Sequence, residues 1–254
     1  MRVSGLLVLA DLANNPITGN DFRTCLLEKG GTLYLSWAHL VELYGLGNGP
    51  TYKSVRTYLA SFGRSFVIID NHAQAVIDRE AARTPETQNP AIDEEFLRVL
   101  LKSWNGLSEL NVGLLLDVGD DPAFFTKLQT LHRRHKDSLK KSFDEARDQY
   151  RRDPGAKRKL DNEIYPCVEG TSATDYFYKQ IARECVTTHE RFNPSDSLDF
   201  EHCVVSLAYC DFVVFDKKWA RRCEMITMPL TAAKVFSTIQ VDRLMSQIKS
   251  WPNA

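Results

Sequence analysis

Thr32-Leu-Tyr-Leu-Ser36 runs straight into Trp37-Ala-His-Leu-Val-Glu-Leu-Tyr-Gly45. The first part is a short β-prone run, and Ser36 is placed to cap a helix starting at Trp37. Upstream, Gly5-Leu-Leu-Val-Leu-Ala10 is an apolar run stopped by Asp11, and it reads as a buried strand. Between the two, Phe22, Cys25, Leu26 and Leu27 have helical spacing, and Gly30-Gly31 ends that helix. The first 45 residues therefore read strand, helix, strand, helix, which predicts a parallel α/β sheet.

Further along, 51–62 has a helical pattern and Ser65–Ile69 is a third strand, followed by Asp70. A helix over 73–83 leads to Thr84–Ala91, read as a loop because it holds Pro85 and Pro90. The stretches 93–105, 121–151 and 173–190 are helical, while Asn111–Leu116 suits helix or strand. The α/β pattern returns after Asp196. Leu198–Tyr209 is a helix with Phe200, Cys203, Val204 and Leu207 on one face. Asp211–Phe215 and Met225–Met228 read as strands, and Val235–Ser250 as a closing amphipathic helix. The 254 residues are thus expected to form a single α/β domain over 1–254, interrupted by a helical insertion at 84–195.

Charge is balanced in bulk, with 32 Lys and Arg against 33 Asp and Glu, so a wholesale basic coat for nucleic acid is excluded. It is not balanced locally. Residues 132–159 hold eleven Lys and Arg and five acids, a net of +6, which leaves −7 for the rest. Arg133, Arg134, Lys140 and Lys141 in that segment are candidates for holding a phosphate backbone. The six cysteines form no Cys-x-x-Cys and no zinc-finger spacing with His, so reduced thiols in a cytoplasmic protein are expected. No run approaches the roughly 20 apolar residues of a membrane helix, so no membrane partner is expected.

Four acids stand out by context. Asp11 follows the first apolar run, Glu42 lies in the helix after the second strand, and Asp199 lies in the first turn of a late helix. Asp216 comes 17 residues after Asp199, just past Cys-Asp-Phe-Val-Val-Phe215. Parallel sheets bind ligands beyond the carboxyl ends of their strands, so these four are expected to converge at one sheet edge. Each acid alone also fits a helix cap or a solvated position. Four carboxylates together repel, and a hard divalent cation such as Mg²⁺ or Mn²⁺ resolves the conflict. Asp211, Asp70 and His202 are secondary candidates, and Lys217 and Lys218 are candidates for substrate phosphate.

This arrangement resembles the PIN (PilT N-terminus) domain nucleases. Asp199-Phe-Glu-His-Cys-Val-Val-Ser-Leu-Ala-Tyr-Cys-Asp-Phe-Val-Val-Phe-Asp216-Lys-Lys-Trp looks like the family's late block, and Leu-Leu-Val-Leu-Ala-Asp11 with Glu42 looks like its early one. The resemblance covers roughly 1–80 and 195–254. It implies a three-layer sandwich around a mostly parallel sheet and an endoribonuclease that hydrolyses phosphodiesters with a metal-activated water. Asp11, Glu42, Asp199 and Asp216 would be the Mg²⁺ or Mn²⁺ ligands. It further implies an RNA substrate, with DNA left open, and a toxin or defence effector held by an inhibitory protein partner; a homodimer is a further expectation. Leu12, Ala13 and Val214 stand where the family usually carries hydroxyl or amide side chains that order the site. A catalytically weakened RNA- or protein-binding module is therefore the alternative.

Overall fold

The computed structural model describes residues 1–4, 6–47, 49–70, 72–82, 89–103, 110–166 and 172–252. Strand β1 is Arg2–Ser4, and two helices follow it, α1 (Leu6–Asn14) and α2 (Pro16–Glu28). Strand β2 (Thr32–Leu35) leads to α3 (Trp37–Gly45) and α4 (Pro50–Ala60), and β3 (Phe66–Ile68) leads to α5 (Ala73–Ala81). The helical stretch comprises α6 (Glu94–Ser103), α7 (Val112–Gly119), α8 (Pro122–Arg152), α9 (Pro154–Asn162) and α10 (Ala173–Thr187). The chain closes with α11 (Asp196–Tyr209), β4 (Phe212–Phe215), α12 (Lys217–Glu224), β5 (Lys234–Ser237) and α13 (Val241–Lys249).

The five strands form one parallel sheet in the order β3-β2-β1-β4-β5. Alternate residues of each strand face opposite sides. Leu33, Leu35, Phe212, Val214 and Phe236 join one core with residues of α1–α4, α6, α7 and α13. Tyr34, Val213 and Phe215 join the other with residues of α5, α8 and α10–α12. The helices between β3 and β4 are thus divided between both faces rather than gathered into a body of their own. Among the described residues no helix is long and apolar enough to cross a membrane.

Two strand assignments and one helix assignment from the sequence need correction. The run expected as a first strand is helix α1, and the strand is the preceding Arg2–Ser4. A short apolar run has no period that separates a buried helix from a buried strand, and here Leu9 and Leu12, three apart, share the buried face. Met225–Met228 lies outside helix and strand. The fifth strand is Lys234–Ser237, the start of what reads as one closing helix. That helix is delayed because the Ser237 N–H donates to the Gln240 side chain at 2.9 Å, which opens a short 3₁₀ turn before α13. The expected loop at 84–91 lies mostly outside the described residues, as does Cys167. The five described cysteines are free thiols.

The α1–α2 hairpin closes over Gly19. A Cβ there would fall inside contact distance of the Leu12 carbonyl oxygen. Gly19→Ala is expected to destabilise the fold by about 1–3 kcal/mol through this overpacking. The urea midpoint should fall with no change in slope, and an unchanged midpoint would contradict the close approach.

Candidate active site

In a parallel sheet the crevice forms where neighbouring strands send their chains to opposite faces. Here that happens at β1 and β4: α1 packs in one core and α12 in the other. A cleft of about 450 Å³ opens there, lined by Glu42, Asp199, Asp216, His39, His202 and Trp219 among others.

Two helices bring matched pairs to it. On α3, His39 and Glu42 are three residues apart and share a face; on α11, Asp199 and His202 do the same. The His39 Nδ1 accepts the Ser36 N–H at 2.9 Å, which leaves the proton of the neutral ring on Nε2. His39 and His202 stack edge-to-face with centroids 4.4 Å apart. Burial holds both rings neutral: the His39 pKa lies well below its ordinary value and that of His202 falls to about 4. The His202 Nε2 lies 3.3 Å from the hydroxyls of Ser4 and Ser206, while its Nδ1 is buried with no partner.

The carboxylates lie around these rings. Asp216 caps α12 and accepts the Trp219 N–H at 2.7 Å. The Asp199 pKa rises to about 7, first through burial and then through the charges of Glu42, Asp216 and Asp196. The buried indole N–H of Trp219, near Asp199 but short of hydrogen-bond geometry, offsets part of that rise. Glu42 opens to solvent, yet the surrounding protein desolvates its carboxyl and raises its pKa to about 7, against the opposing pull of Lys136. Asp196 is neutralised differently, by a two-oxygen ion pair with Lys218 at 2.6 Å to each oxygen. Among the described residues, Glu42, Asp199 and Asp216 form no ion pair.

The fourth expected acid is not in the cleft. Asp11 is exposed on α1, and its neighbour Ala10 lines the cleft instead. The end of β1 is held by Ser4, buried, donating to the Tyr34 carbonyl at 3.1 Å. Asp211 stands at the amino end of β4, the opposite sheet edge, where Arg2 binds it at 2.9 Å. Asp70 lies in a different recess and is bound by Arg79 at 2.9 Å. Lys218 is occupied by Asp196, and Lys217 lines a separate groove beside β5. On α8, Lys140 pairs with Asp144 and Lys141 with Glu145, whereas Arg133 and Arg134 are exposed. Sequence reading missed His39 and Lys136; their signal was spacing, three from Glu42 for one and one turn along the basic helix for the other.

Comparisons with family models, with curated proteins and with solved structures found no match. The site therefore rests on its own chemistry. Its donors are oxygens, the set that Mg²⁺ and Mn²⁺ accept. The ligand oxygens of Glu42, Asp199 and Asp216 do not come within 4.8 Å of one another as a set. One ion touching all three would need them to draw together, because oxygens bound to a single Mg²⁺ at about 2.0–2.1 Å lie at most about 4.2 Å apart.

A raised carboxyl pKa has a sign that can be checked. Folded Asp199 keeps its proton up to about pH 7, while the unfolded chain loses it near the ordinary 3.8. Its contribution to stability is therefore full below the unfolded value and is lost as pH rises through about 7. Asp199→Asn is expected to melt higher than the unsubstituted chain at about pH 8, and nearly level with it at about pH 4. Calorimetry in chelator reads both, and a variant that melts lower at the higher pH contradicts the crowding of these acids.

Proposed function

We propose that this chain is a divalent-metal-dependent endonuclease of PIN-like type that cuts RNA, with Glu42, Asp199 and Asp216 as cation ligands. One observation carries the reading: three carboxylates share the cleft between β1 and β4 with no cationic side chain paired to them. A protein that retains such repulsion loses stability by it, and a functional cation explains the retention. A cation held there polarises a phosphodiester and lowers the pKa of a bound water.

The chain's own groups supply the rest. Ionised Asp199 and Glu42 create the negative recess, and Asp216 is held in place by its cap to Trp219. Lys136 faces Glu42, and Arg133 and Arg134 extend that basic surface into solvent, a track for the phosphates on either side of the cut. His202 lines the cleft as a neutral ring, held by the hydroxyls of Ser4 and Ser206.

The second reading, an RNA- or protein-binding module with weak or no cleavage, is favoured by Ser4 at the end of β1, where an acid was expected. One experiment separates the two. Purified protein is incubated with end-labelled single-stranded RNA, and with DNA of the same sequence, in Mn²⁺, Mg²⁺ or chelator. The nuclease reading expects cleavage that chelator stops. Retention of RNA without cleavage supports the binding module, and neither binding nor cleavage overturns both.

A further inference from the structure

A second recess lies beyond the carboxyl end of β3, about 680 Å³ in volume and lined in part by Trp37, Asp70, His72 and His135. Three donors meet beside it, one at the cap of α5 and one each from α8 and α11. His72 immediately precedes α5, His135 lies midway along α8, and Glu201 lies on α11. Their ligand atoms all fall within 4.8 Å of one another, and among the described residues this is the one trio of His, Cys, Asp or Glu that does so.

The local bonding aims these atoms at a common point. Glu201 is 2% exposed, and its Oε2 accepts the Ala73 N–H at 2.6 Å. That bond fixes the carboxylate beside His72 and leaves Oε1 facing His135. The His135 Nε2 is buried without a hydrogen-bond partner and stands 3.5 Å from Oε1. The His72 and His135 rings are near perpendicular, with centroids 4.8 Å apart. Asp70 accepts the His72 N–H at 2.8 Å and holds that residue from the other side. In a tetrahedral zinc site with bonds of about 2.0–2.1 Å, neighbouring donors are about 3.3–3.5 Å apart. The His135–Glu201 separation of 3.5 Å already has the length of that tetrahedron's edge.

We propose that His72, His135 and Glu201 form a binding site for one zinc-class transition-metal ion, with its fourth position open to the recess. Two imidazoles and one carboxylate select such an ion over Mg²⁺. The buried Glu201 is anchored through Oε2 by the Ala73 N–H, which leaves Oε1 as the donor atom turned to the trio. Bound there, the ion ties α8 to α5 and α11, anchoring the basic helix to the body of the sheet. This site is separate from the carboxylate cleft in donors and in place.

The test uses the full chain stripped with chelator and titrated with Zn²⁺ by calorimetry and with Co²⁺ by visible absorption. One equivalent is expected to bind with a Kd of about 1 µM or tighter, and Co²⁺ to give the intense bands of a four-coordinate site. His72→Ala and Glu201→Gln should each weaken binding by about 100-fold, while Asp11→Asn, exposed on α1, binds as the unsubstituted chain does. His72 is exposed, so its variant folds even if a change at buried Glu201 does not; circular dichroism checks both. No saturable binding below about 100 µM, or equal affinity in His72→Ala, overturns the site and leaves His135 and Glu201 as an ion pair alone.

Discussion

Asp199→Asn is expected to reduce Mn²⁺-dependent cleavage of single-stranded RNA by about 1000-fold in kcat/KM, at the upper end for removal of one charge-stabilising group. The expectation follows from its position. Asp199 lines the cleft together with Glu42 and Asp216, and the charges of both act on its carboxyl. Replacing its carboxylate by an amide keeps the shape and removes the charge that would hold a cation. Glu42→Gln and Asp216→Asn should each lose about 100-fold or more. Asp11→Asn should stay within about twofold, because its side chain is in solvent on α1, and surface changes of this kind are close to neutral. Without metal Asp199 and Glu42 keep their protons up to about pH 7, so the Mn²⁺ concentration giving half-maximal cleavage should fall as pH rises toward that value. Equal cleavage by Asp199→Asn and the unsubstituted chain would assign the activity to something other than this cleft.

The second large effect concerns the core. Phe200 on α11 has 0% exposure, with the Phe143 ring of α8 at 4.9 Å and the Tyr178 ring of α10 at 5.1 Å. Phe200→Ala is expected to cost about 3–5 kcal/mol, since the lost ring leaves a cavity that three helices must span. Far-ultraviolet circular dichroism and tryptophan fluorescence should report one shared urea transition, moved to lower denaturant. The reason is that α8 and α10 share their apolar core with α11 and β4, so they have no separate core on which to unfold alone. Two well-separated transitions would contradict that shared core and describe the helical stretch as an independent unit.

Much of the site was legible from local pattern. Asp199 opens a helix whose apolar stripe feeds a short β-branched and aromatic strand, and Asp216 follows that strand as a helix cap. Glu42 is marked by a serine-started helix after a strand. These signals lie within one turn or one strand of the residue concerned, where propensity and capping act. Asp11 failed the same treatment because Leu6–Asn14 is apolar enough for either element, and nothing local states which face it turns to the sheet. Asp211 failed for another reason: it precedes its strand, and in a parallel sheet that puts it at the edge opposite the cleft.

The sequence by itself determined an alternating α/β chain with three acids in strand–helix contexts that a parallel sheet gathers at its carboxyl edge. Its charge split, +6 in one stretch and −7 elsewhere, was equally plain. Only the tertiary structure decided that β1 and β4 are neighbours, because strand order depends on which faces the crossover helices cover. That adjacency excludes Asp11, seats Ser4 beside His202, and stacks His202 on His39 from a helix more than 150 residues away. It also brings the charge of Lys136 on the basic helix to bear on Glu42, and brings His72, His135 and Glu201 within reach of one another. Spacing along the chain carries no trace of such meetings, since they are set by helices packing on a sheet and not by the residues between them.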